Sequence, residues 1–173
     1  MTKERLRQFV EALGEAAKQE TQLYLTGGAT AVFYGWREST IDVDIRLVPE
    51  RDELLRAIPA IKESLHLNVD LAAPSDFIPV KEGWEKRSPF AMRARFVTAR
   101  HFDLYAQALA KIERGMPRDI QDVRAMLERK LIDAVELTDY FRAVLPSIYR
   151  YPALDEDKFR RDVEEFLAAY ASE

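Results

Sequence analysis

Two aspartates one residue apart, in Ile41-Asp42-Val43-Asp44-Ile45, are the side chains here best suited by type and spacing to do chemistry. Along a strand successive side chains alternate between faces, so both carboxylates are expected on one face while Ile41, Val43 and Ile45 point into a core. Two carboxylates in one small volume repel unless something positive sits between them. Hard oxygen ligands suit Mg²⁺ (or Mn²⁺), which also coordinates phosphate oxygens, so the pair predicts a metal-nucleotide site. A third carboxylate on a neighbouring strand would complete a two-metal arrangement. Asp70, in Leu67-Asn68-Val69-Asp70-Leu71, is the best candidate, because alternation groups it with Asn68 rather than with Val69 and Leu71. Asp76 lies close to it in sequence, and Asp122 competes for a metal.

Gly27-Gly28 supplies the other requirement. Glycines at a strand-to-helix turn let backbone amides approach phosphate, and the helix N-terminus behind them favours an anion. Thr30 adds a hydroxyl to that turn. Each signal has a plainer alternative: a double glycine can be a turn only, the acid pair a solvated face of an edge strand, and Asp70 a strand end. Their order and spacing carry the weight.

The elements that must position these residues follow from periodicity. Leu6, Phe9, Val10, Leu13 and Ala17 predict an amphipathic helix over 3–19, and 22–26 reads as a strand running into the glycines, with a brief helix over 29–36. A strand is expected over 40–48, a helix over 52–65 with Pro59 as a kink or break, and a strand over 66–72. Residues 73–89 read as an irregular loop with a hairpin edge, and 92–98 as one more strand. After His101 the pattern is helical over about 101–114, 117–129, 133–145 and 155–171, with Pro117 at a first helical position and Asp155 as an N-cap. The fold class is α/β (α+β): a small mixed sheet with flanking helices over 1–100, then a C-terminal helical bundle over 101–173.

A chain of 173 residues with 47% hydrophobic content can bury a substantial core. The absence of cysteine excludes disulfides and thiolate chemistry and fits a reducing cytoplasm; with only His66 and His101 left as soft ligands, no zinc site is expected. No signal peptide and no apolar run near the roughly 20 residues of a membrane span is present, so no membrane partner is expected. A net charge of −4 argues against nonspecific nucleic-acid binding. Transfer RNA is a candidate acceptor only if Arg87, Arg93, Arg95, Arg100, Arg114 and Arg118 gather. Tyr149, Tyr151 and the C-terminal aromatic stripe read as core.

Gly27-Gly28, a short helix, then Arg37-Glu38-Ser39-Thr40-Ile41-Asp42-Val43-Asp44-Ile45 resembles the signature of polymerase-beta-type nucleotidyltransferases. With Ala108-Leu109-Ala110-Lys111-Ile112-Glu113-Arg114-Gly115-Met116-Pro117-Arg118-Asp119-Ile120-Gln121-Asp122-Val123 downstream, the chain is similar over 22–130 to small bacterial nucleotidyltransferases related to abortive-infection (AbiEii-like) toxins. The resemblance implies attack of an acceptor hydroxyl on the α-phosphorus of a nucleoside triphosphate, releasing pyrophosphate. It implies Asp42 and Asp44 as metal ligands, with Asp70 completing the first metal and orienting the hydroxyl proton. Gly27, Gly28, Thr30, Arg37, Thr40, Lys111 and Arg118 are implied at the nucleotide, Lys111 on the triphosphate, with Asp119 or Asp122 as a supporting or catalytic acid. Ordinary alternatives stand beside these: Lys111 and Arg118 as surface cations, Asp119 as a first-turn acid, Arg118 paired with Asp122, and Arg37 paired with one of the acids to hold the loop. RNA or protein is the implied acceptor and a cognate antitoxin a partner; the rival reading is a non-catalytic member of a two-protein system.

Overall fold

The first apolar stripe forms helix α1 (Lys3–Ala16), capped by Thr2, whose hydroxyl accepts from Arg5 N at 3.5 Å, and burying Leu6, Phe9, Val10 and Leu13. The computed structural model describes residues 1–172. Its backbone divides into two units: Met1–Ala73 with Ser88–Phe102, and Pro74–Arg87 with the chain from Asp103 onward.

The first unit is a five-stranded mixed sheet in the order β3-β2-β1-β5-β4. Its strands are β1 (Thr21–Thr26), β2 (Asp42–Val48), β3 (Asn68–Leu71), β4 (Phe90–Ala94) and β5 (Val97–His101). β1 pairs antiparallel with β2 and parallel with β5; β2 and β3 are parallel. Helix α2 (Gly27–Tyr34) follows β1 without a linker, and α3 (Asp52–Leu65) crosses between β2 and β3. Leu23, Leu25, Val43, Ile45, Leu47, Val69, Val97 and Ala99 share one core with the buried faces of α1, α2 and α3. By the period-two alternation of strands, Thr26, Asp42, Asp44, Asn68 and Asp70 therefore belong to the opposite face. That division of the sheet into an apolar and a polar face is what gathers the site.

The second unit is helical. After a 3₁₀ turn at Pro74–Asp76 and a short helix α4 (Trp84–Arg87) come α5 (Leu104–Arg114), α6 (Pro117–Glu128), α7 (Ala134–Val144) and α8 (Glu156–Ala171). Asp103, Asp133 and Asp155 each cap the helix that follows, and Pro117 opens α6. Phe141 and Phe159 meet edge-to-face at 4.9 Å in its core. Asp103, fully buried, also accepts from Arg87 Nε at 2.8 Å and the Tyr140 hydroxyl at 3.1 Å, tying the segment after Pro74 to α5 and α7. Burial and the Asp103 charge push the Tyr140 hydroxyl above its usual value.

Several expectations need correcting. The strand expected over 92–98 is two strands: β4 and β5 form an antiparallel hairpin whose turn holds Arg95 at φ 50°, without the Gly or Asn that ordinarily marks such a turn. Ile41 does not point into the core; it is 72% exposed because β2 begins only at Asp42, and alternation has no hold before that residue. Pro59 does not end α3: it sits on the exposed side, where water can take the carbonyl its missing N–H leaves unpaired. Tyr149 is 75% exposed rather than core, with the Arg150 guanidinium 5.6 Å from its ring centroid. Among the described residues no helix is long and apolar enough to cross a membrane.

Candidate metal and nucleotide site

Asp44 is the point at which the polar face is organised. On one side it stands in register with Asp70 of β3, and on the other with Thr26 of β1. Asp42, two residues back on the same face, stands in register with Asn68. Three carboxylates, a carboxamide and a threonine thus occupy neighbouring positions of three adjacent strands. Hard oxygen donors of this kind suit a divalent cation such as Mg²⁺ or Mn²⁺. Among the described residues, however, no three acidic or histidine side chains stand within joint reach of one ion.

The glycine turn closes on the same aspartate. Gly27 has φ +57°, and a Cβ built on it would lie 3.0 Å from Asp44 Oδ2. Both the left-handed backbone and the nearby carboxylate therefore favour glycine there. Helix α2 starts at this residue, so its positive end lies beside the acids, and the Thr26 side chain makes no cap hydrogen bond there. Gly28 lies under Thr40, whose hydroxyl donates to the Asp42 carbonyl at 3.0 Å. Arg37 is half-buried in the connection between α2 and β2.

Thr30, expected to add a hydroxyl at phosphate, has that hydroxyl turned to the protein. It is fully buried, donates to the Leu25 carbonyl at 3.2 Å, and lies 3.2 Å from His101 Nδ1. It ties α2 to the end of β1 rather than lining the turn. His101 packs against Phe33 and Tyr34; burial, reinforced by the charge of Lys3, lowers it to about 4, so the ring is neutral at neutral pH.

The downstream residues form a cluster within the helical unit. Lys111 Nζ donates to Asp122 at 2.5 Å and Asp119 at 3.2 Å, and Arg114 grips Asp119 with Nε and a terminal nitrogen, both at 2.6 Å. Lys111, Asp119 and Asp122 are all buried, so Lys111 is not the surface cation of the plain alternative. Two positive groups balance two negative ones. Burial pushes Asp119 up, but the Arg114 hydrogen bond and the Lys111 and Arg114 charges outweigh it and hold this carboxyl below its usual value. Arg118 is exposed on the first turn of α6. Asp76 belongs to the 3₁₀ turn and not to the sheet.

Among the arginines considered for transfer RNA, Arg87 and Arg114 are held by the protein itself as above, Arg93 on Glu20 at 2.6 Å, and Arg100 on Gln22 at 3.2 Å. Sequence reasoning grouped Asn68 with Asp70 but passed over Thr26 and Arg46 as members of the polar face. Strand parity with Asp44 is the signal that finds Arg46, which stands in register with Tyr24 two residues beyond it.

The chain matches, over residues 4–170, the model of a family described as nucleotidyltransferase of unknown function (DUF6036). No curated protein and no solved structure matches it. With nearly its whole length covered, the chain belongs to that nucleotidyltransferase family.

Proposed function

We propose that this nucleotidyltransferase-family chain binds a nucleoside triphosphate with a divalent metal on the polar face of its sheet, and moves the nucleoside monophosphate to an acceptor hydroxyl of RNA or protein. The observation that carries the reading is the meeting of two motifs at Asp44: its register partner is Asp70, and a Cβ added at Gly27 would lie 3.0 Å from its Oδ2. Carboxylates gathered on one face of a sheet repel one another, and beside a glycine turn that opens a helix they are useful to a metal-bound triphosphate.

In this reading Asp42 and Asp44 hold the metal, which when bound would neutralise the crowded carboxylates and polarise phosphate oxygens. The backbone at Gly27 and Gly28 approaches the triphosphate without a side chain in the way, and the N-terminal end of α2 favours the charge that grows on the leaving pyrophosphate. Asp70 accepts or orients the proton of the attacking hydroxyl. Thr30 acts from behind, by fixing the start of α2 against β1. Lys111, Arg114, Asp119 and Asp122 enter as a charge-balanced structural group of the helical unit. The resemblance read from the sequence to abortive-infection toxins is what extends the proposal to a toxin-antitoxin pair with a cognate protein partner.

The test is transfer of label from each α-labelled nucleoside triphosphate, with Mg²⁺, into total RNA and into total protein. Label entering one pool with wild type, and not with the Asp42→Asn/Asp44→Asn double variant, is the expected result and names the acceptor class. Equal labelling by wild type and double variant would sink the assignment.

A further inference from the structure

Thr40 touches both halves of the proposed site. Its hydroxyl donates to the main-chain carbonyl of Asp42 at 3.0 Å. Its backbone N–H donates to the Met1 carbonyl at 2.9 Å, and its own carbonyl accepts from the Met1 nitrogen, so the residue is pinned on both main-chain sides. Its side chain fills the space above Gly28: a Cβ added there would come within 2.1 Å of Thr40 Oγ1 and 2.8 Å of Thr40 Cβ. Real carbon atoms do not approach so closely, and a pinned threonine cannot step aside cheaply. The two glycines therefore differ in why they are glycine. Gly27 has a positive φ; Gly28 does not, so any residue could adopt its backbone, and the constraint at Gly28 is space alone.

We propose that Thr40 is a positioning residue that latches the glycine turn onto the acid-bearing strand, and that Gly28 is glycine in order to receive it. The proposal rests on the reading of this face as the nucleotide site and adds how its parts are kept in register. The connection from Gly35 to Ile41 joins α2 to β2 and contains no regular element that would fix the distance between them. Thr40 replaces that missing rigidity, with its side chain seated on the first turn of α2 and its hydroxyl on the main chain of Asp42. The turn amides that face phosphate and the carboxylates that face metal then move as one body, as a preorganised site requires.

The experiment is a double-mutant cycle of Gly28→Ala and Thr40→Gly, with Thr40→Ser and Thr40→Val beside it, read both as affinity for a non-hydrolysable nucleoside triphosphate with Mg²⁺ and as melting temperature. Gly28→Ala should weaken nucleotide affinity by about tenfold or more, the scale of one good contact. The double variant should bind better than the product of the single effects, because removing the threonine clears the overlap. Thr40→Ser should bind as wild type. Thr40→Val keeps the shape and loses only the hydrogen bond to Asp42, and should weaken binding by about threefold to tenfold without introducing an overlap. Strict additivity in both readouts overturns the latch. Recovery of melting without recovery of affinity also overturns it, since Gly28 would then serve the ligand directly. A wild type with no nucleotide affinity sinks the nucleotide reading, and the melting cycle then decides by itself whether the latch exists.

Discussion

Replacing Asp70 with Asn should stabilise the metal-free protein while weakening its response to metal and nucleotide. Asp70 is in register with Asp44 across two parallel strands, and Asp42 lies two residues further along the same face. Adjacent strands stand about 5 Å apart, and two unit charges at about 5 Å in water-like surroundings repel by about 0.8 kcal/mol. At physiological ionic strength the Debye length of about 8 Å cuts this to roughly half. The amide is nearly isosteric and keeps its acceptor oxygen, so the repulsion is the main quantity removed. A gain of about 0.8 kcal/mol in low salt corresponds to roughly 2–3 °C in a chain of this size. Adding Mg²⁺ and a non-hydrolysable nucleoside triphosphate at about ten times the dissociation constant should stabilise wild type by about 1.4 kcal/mol, and the variant by less. Scanning calorimetry in chelator at low salt, then in added salt, then with metal and nucleotide, reads all three effects. A variant that melts at or below wild type in low-salt chelator would show that these carboxylates do not repel, and the argument from crowding to metal would fail.

Two other expectations concern groups outside the acid row. Burial holds His101 at about 4 against a usual 6.5, so the unfolded chain takes up this proton first and stability is lost as pH falls from about 6.5 toward about 4. Between about pH 7 and pH 5 the loss should be about 2 kcal/mol, and urea titrations of His101→Gln should show a flatter acid limb; an unchanged limb would mean the imidazole is solvated. Lys111→Met removes the buried cation that Asp119 and Asp122 share and should cost about 3–5 kcal/mol by chemical denaturation, whereas a cost under about 1 kcal/mol would mean that the cluster is open to water.

Much of the first unit could be read from periodicity, because alternation and helical spacing report directly on which face meets a core. The helix over 52–65 was read to its ends, since Asp52 opens and His66 closes an amphipathic stripe. The acid pair was equally plain, as Val43 and Ile45 give the strand its phase. Alternation misled at Ile41, where the strand had not yet begun, and at 92–98, where a turn at Arg95 and Phe96 carries none of the usual turn residues. Pairing of strands distant in sequence was beyond reach of any local pattern. The register of Asp44 with Asp70 follows from the crossover through α3, and the seating of Thr40 on Gly28 from the path of the connection after α2. Burial of a charge is likewise a tertiary outcome: nothing near Lys111 in sequence distinguishes a triphosphate ligand from a partner of Asp119 and Asp122.

The central claim is that the acid face binds metal and nucleotide together, and calorimetric titration of a non-hydrolysable nucleoside triphosphate into the full chain, with and without Mg²⁺, tests it most directly. The account predicts Mg²⁺-dependent binding by wild type that disappears in the Asp42→Asn/Asp44→Asn double variant while that variant still melts cooperatively. Binding that survives in the double variant, or that is indifferent to Mg²⁺, would contradict it.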